Sequence, residues 1–218
     1  MTTPTKFLTD TRITGLFYLG LAITGVISFL AIKNNLYVEG NAALTHSNIL
    51  QNMSLARAGV VIELLLVAFQ AMAAIWFYKL FNKVDSFASV MLMAFGLVNA
   101  IAILISSSAW WVAINVVKGN EILAYYFFNL HESIWLVASL FFGLWLIPMG
   151  LLATKAKISH ILGVILIIGG IGYILSAMVL VLFPEQKGLG EMMTLPATIG
   201  EFWMIGYLLV KPKLNTES

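Results

Sequence analysis

The chain has 218 residues, 61% of them hydrophobic and 10% charged, with mean hydropathy +0.95 and a formal net charge of +2. That much apolar surface cannot be hidden inside one soluble core of this size, which excludes a soluble domain. A nearly balanced charge without a basic tract excludes nucleic acid as a partner, and the absence of cysteine excludes disulfides and thiol chemistry.

Long apolar runs instead fit a bilayer about 30 Å thick. They predict an all-α polytopic integral membrane protein, a six-transmembrane-helix bundle forming a single membrane domain over residues 1–218. The first span covers about 13–32 and is flanked by Arg12 and Lys33. The N-terminus is polar and no Ala-x-Ala-like site follows the first run, so that run reads as a retained signal-anchor helix. A polar segment, 34–52, follows; within it Thr45–Gln51 is predicted as a short interfacial helix capped by Thr45. The second span is about 53–81, a tight turn covers 82–86, and the third span is about 87–116. The fourth is about 122–153, the fifth about 158–183 before Pro184, and the sixth about 194–210 before Lys211-Pro212-Lys213. Spans two to four exceed what a bilayer requires and must tilt, kink or project into the headgroups.

Orientation follows from basic residues. Lys6, Arg12, Lys79, Lys83, Lys155, Lys157, Lys211 and Lys213 fall on one side. Lys33, Lys118, Lys187 and the in-span Arg57 fall on the other, which predicts that both termini are cytoplasmic. Glu39, Glu121, Glu185 and Glu191 lie in the outer loops, and Trp110 and Trp111 near an outer helix end suit an aromatic belt.

The polar residues inside the spans are the candidates for function, because a charge at a helix centre costs about 2.5–3.5 kcal/mol on the insertion scale. Span two carries Arg57, Glu63 and Gln70. Glu63 lies about 9 Å deeper than Arg57 and on a different face, whereas Gln70 returns to nearly the face of Glu63. Span three adds Asn99 and Ser106-Ser107-Ser108; span four adds His131 and Glu132, with Trp135 on the His131 face; span six adds Glu201. Nearly all of these fall in the outer half, above an almost purely apolar cytoplasmic half. This asymmetry predicts a polar cavity open to the extracytoplasmic side with an apolar floor. The bland alternative is that the same residues are interhelical hydrogen bonds and ion pairs that fix packing. Asn99, the three serines and the glycines of span five (Gly163, Gly169, Gly170, Gly172) are read as packing residues first.

Several stretches together resemble a bacterial membrane family, domain of unknown function 4386. They are Thr45-His46-Ser47-Asn48-Ile49 followed by Arg57 and Glu63, and Phe141-Phe142-Gly143-Leu144 leading to Gly150. Leu162-Gly163 with Gly170-Ile171-Gly172-Tyr173 comes next, then Leu195-Pro196-Ala197-Thr198-Ile199-Gly200-Glu201 and Leu208-Leu209-Val210-Lys211. The similarity covers about Thr11 to Lys213. It implies a stand-alone multi-span protein of a bacterial cytoplasmic (inner) membrane and brings no activity with it. The family's Ile-Pro-x-x-Leu-Gly turn is here Ile158-Ser159-His160-Ile161-Leu162-Gly163, without the proline.

The preferred function is binding of a small amphiphilic or lipid-like ligand, with Arg57, Glu63, Asn99, His131, Glu132 and Glu201 as ligand-binding candidates. Arg57 would attract an anionic head, Glu63 and Glu201 would orient it, and membrane lipids are the expected partners. The alternatives are an enzyme using Glu63, His131 and Glu201 for acid–base chemistry, or a small-molecule or proton-coupled transporter, for which a homo-oligomer would supply what one chain lacks. A metal set of His131, Glu63, Glu132 and His46 is conceivable, but no His-Glu-x-x-His spacing supports it and no metal is assigned. No phosphate loop or nucleophile elbow is present, and no cofactor is assigned.

Overall fold

The computed structural model describes residues 9–211 and Leu214. Among them are seven helices and no strand: α1 (Asp10–Leu36), α2 (Ala42–Gln51), α3 (Met53–Phe81), α4 (Ser86–Val116), α5 (Glu121–Lys155), α6 (His160–Leu182) and α7 (Lys187–Val210). All but α2 are long and apolar enough to cross a membrane, six in number. The chain is an all-α, multi-pass membrane protein.

Three local features differ from expectation, each for a physical reason. The cap of α2 is Asn41, whose side chain accepts from the Leu44 amide at 2.9 Å. Thr45 lies inside that helix, where its hydroxyl accepts from the Val38 amide and contacts the Val38 carbonyl. α7 begins at Lys187 rather than Thr194 and runs through Pro196. Its polar, glycine-containing first turns hide it from hydropathy, and a proline in a membrane helix is tolerated where neighbours satisfy the freed carbonyl. The third difference is in α1, which changes from α to π geometry over Ile27–Lys33. An α-helix sets residues i and i+5 about 140° apart. The wider i→i+5 bonding of a π segment returns them towards one face, and Ser28 and Lys33 stand in that relation.

The chain divides into two compact units. One comprises Met1–Leu19, Ala71–Leu97 and Ser139–Ser218; the other comprises Gly20–Gln70 and Val98–Ala138. In the first, α5 and α6 meet through glycines: a Cβ on Gly163 would come within 2.6 Å of the Gly150 carbonyl oxygen, and one on Gly170 within 2.7 Å of the Gly143 carbonyl oxygen. Gly143 and Gly150 on α5, like Gly163 and Gly170 on α6, are seven residues apart, so the contact repeats two turns along each helix. Gly169 and Gly172 bring α7 equally close, against Ala197 and Met193. An aromatic cluster of Tyr18, Phe77 and Trp145 fills the same unit, with Tyr18 edge-on to Phe77 at 5.3 Å. At its rim, Asp85 precedes α4 and accepts from the Ala88 amide. That bond first, and the Lys155 ammonium second, hold its carboxyl below the usual carboxylate range.

The second unit is built round Trp110, fully buried with Ile32, Leu36, Ile49, Val60 and Phe128. Gly59 permits this, since a Cβ there would overlap the Trp110 ring. Trp110 is therefore a core residue rather than part of an aromatic belt, while its neighbour Trp111 is 47% exposed. Outside the spans, Tyr37 stacks on Phe128 and donates to Asn129 Oδ1 at 2.6 Å. Burial, and then the neighbouring Tyr125, push the Tyr37 hydroxyl well above its ordinary pKa.

Candidate functional site

Four helices of the second unit each send polar side chains to one buried point. α3 supplies Glu63, α5 supplies His131 and Glu132, α4 supplies Ser106 and Ser107, and the π segment of α1 supplies Ser28 and Lys33. Glu63 Oε1 contacts His131 Nε2 at 2.8 Å and accepts from Ser28 at 3.3 Å. Glu63 Oε2 lies 2.8 Å from Ser107 Oγ. On the other edge of the imidazole, Nδ1 lies 3.1 Å from Glu132 Oε1, and Glu132 Oε2 accepts from Lys33 at 2.9 Å. Ser106 fixes the backbone of the same turn by donating to the His131 carbonyl at 3.0 Å.

The result is a linear chain, Lys33–Glu132–His131–Glu63, in which basic and acidic groups alternate. Its inner half is dry: the His131 and Glu63 side chains are fully buried, whereas those of Lys33 and Glu132 are 15% and 28% exposed. Aromatic faces close round the imidazole, with Trp110 edge-on at 5.1 Å and Phe128 at 5.9 Å. Phe29 carries the Lys33 ammonium over its ring at 4.4 Å and meets Trp135 edge-on. With both carboxylates ionised, the imidazole must carry two N–H groups to satisfy both. The chain then sums to zero charge, which is what makes its burial tolerable.

Arg57 does not join this chain. It is exposed on α3 and makes no ion pair with any described residue. It lines a lateral groove of about 390 Å³ with Val60, Val61, Leu64, Ser107, Ser108 and Trp111. The α3 wall runs from Arg57 to Leu64, about 10 Å along the helix axis. Apolar side chains dominate it, and Trp111 stands near the same helix ends as Arg57. Ser107 belongs to both places: it lines the groove and contacts Glu63.

The residues singled out from sequence are thus distributed. Glu63, His131 and Glu132 come together, Arg57 stands on the groove, and Asn99 and Gln70 are buried in the same unit. Glu201 belongs to the other unit, where it accepts a 2.8 Å hydrogen bond from Tyr18, whose hydroxyl also lies 3.8 Å from Met149 Sδ. Sequence reasoning missed Lys33, taken as a flanking charge, and Ser28, a lone hydroxyl in an apolar run. It treated Ser107 as packing. Only the π segment explains how Ser28 and Lys33 reach one site, and no residue type announces that segment. His46 is occupied otherwise, with Nε2 2.9 Å from the Val117 carbonyl. Among the described residues no cluster of three or more His, Asp or Glu side chains has metal-binding geometry.

A family model described as Domain of unknown function (DUF4386) matches residues 13–211. No curated protein and no solved structure matches the chain.

Proposed function

The chain belongs to the family described as Domain of unknown function (DUF4386), and from that premise, which supplies no activity, we propose that it binds an anionic, lipid-like amphiphile in the lateral groove beside Arg57. The observation that carries this is an exposed arginine inside a membrane-spanning helix, with an apolar groove descending from it. A guanidinium at that depth gains most from a phosphate, which it can hold through two parallel N–H donors. Ser108 adds a hydroxyl beside it, and Val61 and Leu64 provide a wall for an acyl chain. In this reading the protein sits in a bacterial cytoplasmic membrane with both termini inside and the groove in the outer leaflet. The Lys and Arg distribution supports that orientation.

Snorkelling gives Arg57 a simpler role, as a charge that merely reaches the headgroup layer. The two roles separate experimentally. Phosphatidylglycerol with a brominated acyl chain quenches tryptophan on contact, and the Trp111 share is obtained by difference with Trp111→Phe. Quenching through Trp111 should saturate with the wild type. Arg57→Ala should weaken it at least tenfold, and Arg57→Lys should restore it only in part. Equal saturation in wild type and Arg57→Ala would reject the proposal, and full rescue by lysine would leave Arg57 as an interfacial anchor.

A further inference from the structure

We propose that Lys33, Glu132, His131 and Glu63 form a proton-binding chain linked to the Arg57 groove through Ser107, so that the anionic amphiphile binds together with a proton. The inference rests on the groove reading above and adds a second ligand, H⁺, with its own site and route.

The site is defined by hydrogen-bond counting. The 3.1 Å contact between His131 Nδ1 and Glu132 Oε1 and the 2.8 Å contact between Nε2 and Glu63 Oε1 each need a proton between two lone pairs. With both protons in place the chain is neutral. Loss of one proton leaves a net negative charge among side chains that are wholly or largely buried, and one contact becomes lone pair against lone pair. The route is the imidazole itself. When the imidazole holds only its Nε2 proton, a proton entering from water at the partly exposed Glu132 passes to the Nδ1 lone pair, and the Nε2–H stays donated to Glu63 Oε1. Every N–H or O–H bond broken is matched by one formed, and no other bond changes.

Ser107 is the link because it has one proton and two acceptors at equal distance. Its Oγ lies 2.8 Å from Glu63 Oε2 and 2.8 Å from the Ile103 carbonyl. When the imidazole is neutral, the hydroxyl donates to the carboxylate. When the imidazole is doubly protonated, its positive charge against Glu63 weakens the pull on that hydroxyl, and the hydrogen turns to Ile103 instead. The groove wall therefore has two hydrogen-bond states set by the chain.

The groups facing the chain fix the sign. α1 presents Lys33, with Tyr37 just past its end; α3 presents Arg57 about 9 Å along the helix from Glu63. α5 presents His131 and Glu132 themselves, and α4 contains no titratable residue. The headgroup is thus the one new charge that binding introduces, and it is negative. It favours the protonated chain, and by reciprocity protonation favours the headgroup.

The test is the affinity of full-length protein in detergent for brominated phosphatidylglycerol between about pH 5 and pH 8, where the imidazole range lies and the lipid phosphate keeps its charge. Wild-type affinity should fall as pH rises, by up to tenfold per unit if one proton accompanies each lipid. In Glu63→Gln the dependence should flatten while binding persists, because the amide still accepts from His131 and donates to Ser107. Ser107→Ala, a smaller change less prone to disturb folding, should reduce the slope with Arg57 intact. A flat wild-type profile in a protein whose binding still requires Arg57 overturns the proton link and leaves the groove reading standing. Binding indifferent to Arg57→Ala rejects the groove, and a slope unchanged in Ser107→Ala rejects the link through that hydroxyl.

Discussion

The two units solve the problem of packing helices in lipid by opposite means. The unit with Ser139–Ser218 removes side chains: Gly143, Gly150, Gly163 and Gly170 let backbones touch, and the half-buried carboxylate of Glu201 is met by a tyrosine. The unit with Gly20–Gln70 and Val98–Ala138 adds side chains instead: four alternating charges, three serines and a buried tryptophan. Without a hydrophobic force between helices in lipid, both close packing and polar contacts can hold a bundle. They differ in what else they allow. Glycine contacts have one state, whereas a hydrogen-bonded chain of titratable groups has several.

The sharpest way to break that contrast is to remove one charge from the chain. Glu63→Leu leaves His131, Glu132 and Lys33 with an uncompensated positive charge in a dry site, and removing one partner of a buried pair costs about 3–5 kcal/mol. Thermal unfolding in detergent should show this as the largest single loss. The double variant Glu63→Leu with His131→Leu should lose less than the sum of the two singles, because the imidazole no longer faces a missing partner. Additive losses would mean that the two residues do not act as one chain.

The next effect belongs to the glycine unit. A side chain at Gly163 must displace backbone as well as the Thr154 hydroxyl, because the Gly150 carbonyl oxygen stands 2.6 Å from the Cβ position. Gly163→Val should cost about 1–3 kcal/mol or more. Gly206→Ala, with nothing within 4 Å of its Cβ, should be silent or slightly stabilising. Equal behaviour of the two variants would show that α5–α6 contact is not what the glycines are for.

Much of this contrast can be read from sequence, and the remainder shows where such reading stops. The six spans are legible because hydropathy is summed over about 20 residues and tolerates local error. The seven-residue spacing of Gly143 with Gly150 and of Gly163 with Gly170 is visible by eye. The separate faces of Arg57 and Glu63 follow from 100° per residue alone. Lys33 is different. On an ideal helix it flanks a span and lies away from Ser28, so only the π segment makes it a site residue. The partners of Glu201 and of Glu63 are likewise illegible: they lie 183 residues away at Tyr18 and 68 away at His131, and no local period connects such pairs. Hydropathy also counts Trp110 and Trp111 as equals, although Gly59 makes room for the first alone.

The smallest expected effect tests whether Glu201 is a second functional carboxylate or part of the packing. Tyr18 is fully buried among Phe77 and Trp145, so Tyr18→Phe keeps the ring contacts and deletes the hydroxyl that donates to Glu201. A hydrogen bond of this kind contributes about 1 kcal/mol net, and unfolding should register a loss of that order. Glu201→Gln keeps an acceptor for Tyr18 and should cost less. Phosphatidylglycerol affinity and its pH slope should be untouched in both variants, since the groove and the proton chain belong wholly to the other unit. A change of slope in Glu201→Gln would join the two carboxylates in one function. The contrast between a one-state unit and a many-state unit would then have to be abandoned, because the glycine-packed helices would carry a titrating group of their own.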